Sequence, residues 1–465
     1  MHYEKLPDGS VKCIEDEIPF DLPESWAWCR IKNICTIGTG ATPLKSNSAY
    51  YANGTIPWIT SAATSEEIIT TPADYITERA ITETNCSIYP IGTLIIAMYG
   101  EGKTRGQISE LGIEACTNQA CAALQILADD VRLSQYVKSY FQYSYENLRQ
   151  KAKGGQQSNL NQTIIAETLI AIPPYQETKR IMDSVYQCID QINTIEEGIE
   201  SICTSIENAK KRILDLAIHG QLVPQNPADE PATVLLDRIR AEKEELIRQG
   251  KIKRDKKESV IFRGDDNSYY RRSPDGLEDI TDDLPYDIPD SWEWTSISEL
   301  FSINPRNKIA EDMVVSFIPM PLIDDGYSGC HRSETKEWKS IKTGFSHFQN
   351  GDIGIAKITP CFENRKSVIF RDLCNGYGAG TTELHILRPQ YRDCVLPEYA
   401  LALLKSERFI QSGVQAFTGA VGQQRIGKDY VMNTYFPLPP YAEQRRIIDR
   451  INKLFTLIAT IESAL

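Results

Sequence analysis

Two short strings recur in this chain at one fixed distance. DLPESWAW at 21–28 returns as DIPDSWEW at 287–294, and IPPYQE at 172–177 returns as LPPYAE at 438–443. Each return lies 266 residues on, from 21 to 287 and from 172 to 438. Six of eleven positions agree over 21–31, and six of ten over 172–181. A common offset at both ends of a long stretch means that a domain and the segment after it are each written twice. Between the markers little agrees, so two similar frames carry different contents. YEKLPD at 3–8 echoes YRRSPD at 270–275, which places the start of each half.

After each exit marker the apolar residues take coiled-coil spacing. Ile181, Val185, Cys188, Ile192, Ile195, Ile199, Ile202, Ile206, Ala209, Ile213 and Leu216 alternate in steps of four and three. Pro173 and Pro174 suit a helix start and Gly220 its end, which predicts an arm roughly 65 Å long. Ile447, Ile451, Leu454, Ile458, Ile461 and Leu465 repeat the seam, each 266 residues after its counterpart. The spacing predicts two long helices that pair along a seam, with the shorter second arm covering part of the first. Within each half, β-rich runs (56–59, 93–99 and 120–126; then 314–320, 351–358 and 382–389) precede a helix, at about 131–152 and 397–412. Strands first and helix later indicate an α+β domain.

The expected layout is a first domain over 1–172, a first helical region over 173–220 and a connector over 221–268. A second domain over 269–438 and a short second helical region over 439–465 complete it. The connector carries a helix over 232–249 and a basic stretch (Arg248, Lys251, Lys253, Arg254, Lys256, Lys257), which reads either as a phosphate contact or as a solvated face.

A hydrophobic content of 41% and a charged content of 24% suit a soluble chain, and no apolar run is long enough for a membrane span. With no secretion signal, a cytoplasmic location is expected. The twelve cysteines form no CxxC pair and match no zinc spacing with the five histidines, so neither disulfides nor a metal site is expected. A net charge of −13 argues against nonspecific nucleic-acid binding by the whole surface while leaving room for a local basic face.

Two catalytic motifs fail on inspection. AMYGEGKT at 97–104 fits a relaxed phosphate-binding loop, but the continuation through Arg105 and Gly106 reads as a turn into another strand. IPPY and LPPY resemble the motif of amino-group DNA methyltransferases, yet Ile172 and Leu438 cannot accept a hydrogen bond from an amine. What remains are polar turns suited to DNA. Lys103, Thr104, Arg105 and Gln107 form a basic turn in the first half, with Lys357, Thr359, Asn364 and Lys366 in the second. Thr117, Asn118 and Gln119 fall near the place of Thr381 and Thr382. Gly154, Gln156, Gln157 and Asn159 fall near that of Gln423, Gln424 and Arg425. Asn and Gln suit adenine and Arg suits guanine, whereas the plain alternative is an ordinary polar loop.

Taken together, the PESWAW and PDSWEW entries, the PPYQETKR and PPYAEQRR exits, the heptad helices, and the GKTRG and TNQA strings resemble a specificity subunit of a type I restriction–modification system. That resemblance implies two target-recognition domains of mixed α/β structure, separated by long helices pairing as an antiparallel coiled coil that acts as a ruler. Each domain is then expected to read one half of a split site in double-stranded DNA. It further implies a non-catalytic chain without a cofactor of its own. S-adenosylmethionine, ATP and magnesium are expected on partners, namely two modification subunits that methylate adenine and restriction subunits that translocate and cleave. The short second arm departs from the family pattern and bears on how the modification subunits are clamped.

Overall fold

The computed structural model describes residues 1–100, 103–128, 130–153, 159–250, 259–391, 393–420 and 422–465. They form two compact units, Met1–Glu196 and Glu197–Leu465, and the division falls inside the long helix Tyr175–Ile218. Strands and helices mix in both, as an α+β fold requires. Among the described residues no helix is long and apolar enough to cross a membrane, and every cysteine is a free thiol.

In the first unit one sheet runs in the order Cys35–Thr39, Cys121–Ile126, Leu94–Ala97, Ile108–Leu111, Ile68–Ile69. A second runs Asp74–Ile76, Ile56–Ile59, Ala115–Thr117, Ile88–Tyr89, with its two middle strands parallel. The strand Leu94–Ala97 is buried on both faces, and its alternation serves two cores. Leu94 and Ile96 pack with Val137 and Phe141 of the helix Val131–Tyr143, while Ile95 packs with Ile59, Ile69 and Leu111.

The second unit has two four-stranded sheets of similar order, without a counterpart of the edge strand Ile68–Ile69. One sheet runs Phe301–Ile303, Leu384–Pro389, Ile353–Ala356, Ser367–Ile369. The other runs Glu334–Glu337, Val314–Ile318, Tyr377–Gly380, Ser346–Gln349, again with a parallel middle pair. Phe348 and Phe370 stack at 3.7 Å between centroids inside its core.

The recurring markers turn out to be partners. Ala27–Arg30 pairs antiparallel with Leu169–Ile172, and Glu293–Ser296 with Tyr435–Leu438. Entry and exit of each half are therefore one two-stranded ladder. Ile172 spends its backbone there, opposite Ala27. Trp292 and Trp294 are fully buried, because the connector helix Ala232–Arg248 and the hairpin strands Val260–Arg263 and Tyr269–Ser273 cover them.

One expectation is corrected. The helices expected over 131–152 and 397–412 each break, into Val131–Tyr143 and Tyr145–Lys153, and into Pro397–Leu404 and Glu407–Gln415. At the second break the Lys405 ammonium donates to the carbonyls of Gly326 and Arg365, and the Ser406 hydroxyl caps a new helix by accepting from Phe409 N. The helix within the connector packs on the second unit: Leu235, Leu236 and Ile239 lie in its core, and Arg240 reaches Glu299 at 2.7 Å. Of its basic stretch, Arg248 pairs with Glu245, and residues 251–258 lie outside the described residues. The seam of the long helix is not buried throughout. Ile181 and Val185 pack on the first unit's core, Ile206 is buried and Ile213 packs partly buried on the second unit's core, but Ile192 and Ile195 stand 53% and 61% exposed. Lys210 Nζ already meets Glu462 on the last turn of the helix Tyr441–Glu462, at 2.6 Å, so Ile199 and Ile202 lie beyond that helix and stay exposed.

The long helix stops at Gly220 by backbone chemistry. Gln221 N donates to Leu216 O at 2.9 Å and Gly220 N to Ala217 O at 3.4 Å, with Gly220 at φ +68°. A Cβ there would sit 2.4 Å from Pro289 Cγ. Gly220→Ala is expected to destabilise the second unit by about 2 kcal/mol through strain and collision, read by urea titration of tryptophan fluorescence.

Arg30 closes the first ladder onto the N-terminal hairpin. Its Nη2 lies 2.8 Å from carboxylate oxygens of both Glu4 and Glu17, and its Nη1 donates to Glu167 O at 2.6 Å. The hydrogen bond from Arg30 holds the Glu4 carboxyl below its ordinary value, and those from Lys12 and Arg30 do the same for Glu17. Both folded values lie below the unfolded value of 4.5, so this stabilisation is full above that pH and fades as pH falls through the folded values. Arg30→Ala should cost about 2 kcal/mol at pH 7, chiefly by leaving the mostly buried Glu4 carboxylate and the Glu167 carbonyl without their donor, since Glu17 keeps Lys12. Urea midpoints at pH 7 and pH 3.5 should then differ less in the variant than in the parent.

Candidate nucleic-acid interface

In the first unit the strand Leu94–Ala97 turns back into Ile108–Leu111, with Ile108 opposite Ile96. No helix opens after the turn, so Lys103 sits in a β-hairpin rather than a phosphate-binding loop. Two backbone hydrogen bonds gather three turns at its base. Met98 N donates to Ala120 O at 2.7 Å, and Leu160 N donates to Met98 O at 3.1 Å. The basic turn, the Thr117–Ala120 turn and the end of the polar loop before Leu160 thereby share one junction.

Local chemistry shapes these turns. Asn118 Oδ1 accepts from Ala120 N at 3.1 Å, a side chain imitating a backbone turn. The exposed Gln119 accepts from the Thr42 hydroxyl at 2.7 Å. Gly40 lets the chain pass against Thr117, where a Cβ would fall 1.7 Å from its carbonyl oxygen. The basic turn is braced from the helix Tyr145–Lys153. Tyr145 OH donates to Lys103 O at 2.5 Å, and Arg149 Nη1 donates to Arg105 O at 3.1 Å and to Tyr145 Oη at 2.8 Å. Lys103 is exposed, while Thr104, Arg105 and Gln107 are half-exposed. A cleft of about 720 Å³ lies between Lys103, Gln107, Tyr145 and Arg149, with Glu66 and Glu67 on its far wall.

The second unit makes the same junction with other residues. Lys357 N donates to Glu383 O at 3.0 Å, Ile426 N to Lys357 O at 2.9 Å, and Thr359 N to Gln424 O at 3.0 Å. Lys357 and Thr359, the Thr381–Glu383 turn and the Gln423–Arg425 turn are thus brought together. Thr382 and Gln423 are exposed, and Thr381 is held by accepting from Glu383 N. A pocket of about 230 Å³ joins Lys357 and Thr382 to Asn304, Arg306, Ser346 and His347. Burial pushes the His347 imidazole below its ordinary value, favouring the neutral ring, whose Nδ1 accepts from Asn307 N.

Some expected residues are placed elsewhere or spent. Thr117 is fully buried in its strand, so its side chain offers nothing to a ligand. Lys366 is mostly buried, its ammonium donating to Ile323 O at 3.0 Å near Asp325, which makes it a brace for that loop. Asn364 is exposed, but its carbonyl holds Gly326 N, outside the junction. Asn159 is exposed just before Leu160, whereas Gly154, Gln156 and Gln157 lie outside the described residues. Sequence reasoning passed over Tyr145 and Arg149, for which no local signal existed, and over Arg306, which reaches the pocket only through tertiary pairing. Arg425 carries a bidentate partner in Glu383, with Nε to Oε2 at 2.9 Å and Nη2 to Oε1 at 3.1 Å.

Residues 23–202 match the family model described as the type I restriction modification DNA specificity domain. The chain is 45% identical over 259 residues to the type I restriction enzyme EcoAI specificity subunit of Escherichia coli, covering 55% of this chain and 41% of that protein. It is 42% identical over 258 residues to the EcoEI specificity subunit of the same organism, covering 55% and 40%. The matched stretch thus spans less than half the length of these curated relatives. A solved chain, described under complex assembly and conformational transition of the type I R-M system, covers 96% of this chain and 94% of its own length. Its TM-score is 0.54 at 15% identity, a likeness of fold. Residues 23–202 thus carry the match to a type I restriction modification DNA specificity domain, and over 55% of its length the chain is similar to specificity subunits of type I restriction enzymes.

Proposed function

We propose that the chain is the sequence-reading, non-catalytic subunit of a type I restriction–modification complex. One observation carries the proposal furthest: the same hydrogen-bonded junction of three polar turns occurs in both units, on sheets whose order matches apart from one edge strand, with different side chains displayed. Each unit then carries one target-recognition domain, and each domain reads its own half of a bipartite site in double-stranded DNA. On this reading the basic turns position the domains on phosphates, and the Asn118–Gln119, Asn159, Thr382 and Gln423–Arg425 turns, with Gln156 and Gln157, meet base edges.

The matching ladders, exits and helices support duplication, with recognition domains over 1–172 and 269–438. The contact of Lys210 with Glu462, beside the shared packing of Leu214 and Ala217 with Ile447 and Ile451, supports antiparallel pairing of the two arms. Such a helical pair would set the spacing between half-sites, which for neighbouring turns of one DNA face is about 34 Å. Two modification subunits would supply S-adenosylmethionine and methylate adenine, and restriction subunits would supply ATP- and magnesium-dependent translocation and cleavage.

Methylome sequencing of cells carrying the full chain with its modification subunit should show methyl-adenine in a two-part motif with an undefined middle. Methylation unchanged from cells lacking the chain would overturn the proposal. Lys103→Ala should weaken binding to every duplex by a similar factor and reduce the salt slope by about one. Were it to change base preference instead, its role as a phosphate contact would be wrong. Tyr145→Phe should mimic this loss in part while leaving the urea midpoint nearly unchanged, since it frees the carbonyl that holds the Lys103 turn.

A further inference from the structure

We infer that Glu383 is a specificity-determining residue of the second unit, which fixes the Arg425 guanidinium so that it reads a base edge instead of clasping phosphate. The inference deepens the function proposed above and rests on the Gln423–Arg425 turn facing DNA.

Both members of the pair stand on anchored backbone. Arg425 N donates to Thr418 O at 2.9 Å, Thr418 N donates back to Arg425 O at 3.0 Å, and neighbouring Ile426 is tied to Lys357. Glu383 is held from both sides, its N–H on the Thr381 hydroxyl at 3.1 Å and its carbonyl on Lys357 N at 3.0 Å. The side chains then meet edge to edge, Glu383 taking Nε and Nη2, while Arg425 Nη1 donates to Gln423 O at 2.9 Å. Guanidinium has five N–H donors in a rigid plane. Three are used, which leaves two, one on each terminal nitrogen. Arg425 remains 41% exposed, so these two reach solvent.

That arrangement selects between the two ligands DNA offers an arginine. A phosphate is anionic and would approach a guanidinium already neutralised by a carboxylate alongside. The O6 and N7 of guanine are neutral acceptors spaced for two N–H donors, and the carboxylate does not repel them in the same way. Glu383 further removes the rotamer freedom that a lone arginine would surrender on binding. Its carboxyl is held below its ordinary range chiefly by the hydrogen bond from Arg425, so the pair stays ionised at neutral pH.

The test uses the full chain with its modification subunit, first by methylome sequencing and then on duplexes carrying the mapped motif or an unrelated sequence. Arg425→Ala should broaden the motif at one guanine of one half-site. Glu383→Gln should broaden the same position, lower the ratio of motif to unrelated binding about tenfold, strengthen unrelated binding, and steepen its salt slope by about one. Glu383→Asp, which keeps the carboxylate, should retain part of the discrimination. If Arg425→Ala leaves motif and affinity unchanged, the turn does not face DNA and the functional reading of this loop fails. If Arg425→Ala broadens the motif but Glu383→Gln leaves the ratio intact, the role of Glu383 is overturned. Equal loss of motif and unrelated binding with a lowered urea midpoint would make Glu383 merely structural, and would overturn it too.

Discussion

The pairing of entry strand with exit strand is the interaction on which each half depends. Ala27–Arg30 against Leu169–Ile172, and Glu293–Ser296 against Tyr435–Leu438, bring together backbone about 140 residues apart in sequence. A two-stranded ladder holds only in register, because a slip of one residue turns every side chain to the opposite face. Both strands must therefore keep their lengths and apolar alternation whatever the domain between them does. The exit strand ends at a proline pair that starts a helix, so the ladder also aims each helical arm. Conservation of the markers and divergence of the contents follow from one mechanical requirement.

That division suits recognition. Apart from one edge strand the sheets of the two units share their order, and their interior positions are filled with different apolar side chains of fitting volume. At the junction the connections between turns are made by backbone amides and carbonyls, which every sequence possesses. Side chains at Lys103, Gln119, Thr382 and Arg425 are then free to differ without moving the frame. A scaffold whose geometry rests on backbone hydrogen bonds can change what it reads by changing exposed residues alone.

The electrostatics are correspondingly local. The chain as a whole is acidic, at −13, yet the first-unit junction displays Lys103 and Arg105 and the second Arg306, Lys357 and Arg425. Carboxylates stand beside several of these cations, Glu66 and Glu67 across the first cleft and Glu383 on Arg425 itself. Mixed charge of this kind weakens indiscriminate attraction to phosphate and leaves more of the binding to geometry.

Sequence alone determined the recurrence of the two markers, the α+β character, the start and stop of the long helix and the approximate positions of the polar turns. These follow from short-range rules: period-two and heptad alternation, proline at helix starts, glycine where φ must be positive, and the offset of 266 residues. Only the tertiary structure decided that the two markers are one ladder, that the connector helix belongs to the second core, and that Thr117 and Lys366 are spent internally. It also decided that Tyr145 and Arg149 hold the basic turn and that Glu383 holds Arg425, partners 42 residues apart or more along the chain. Periodicity reports which face of an element is buried, whereas side-chain pairing across such separations depends on how the chain closes in space.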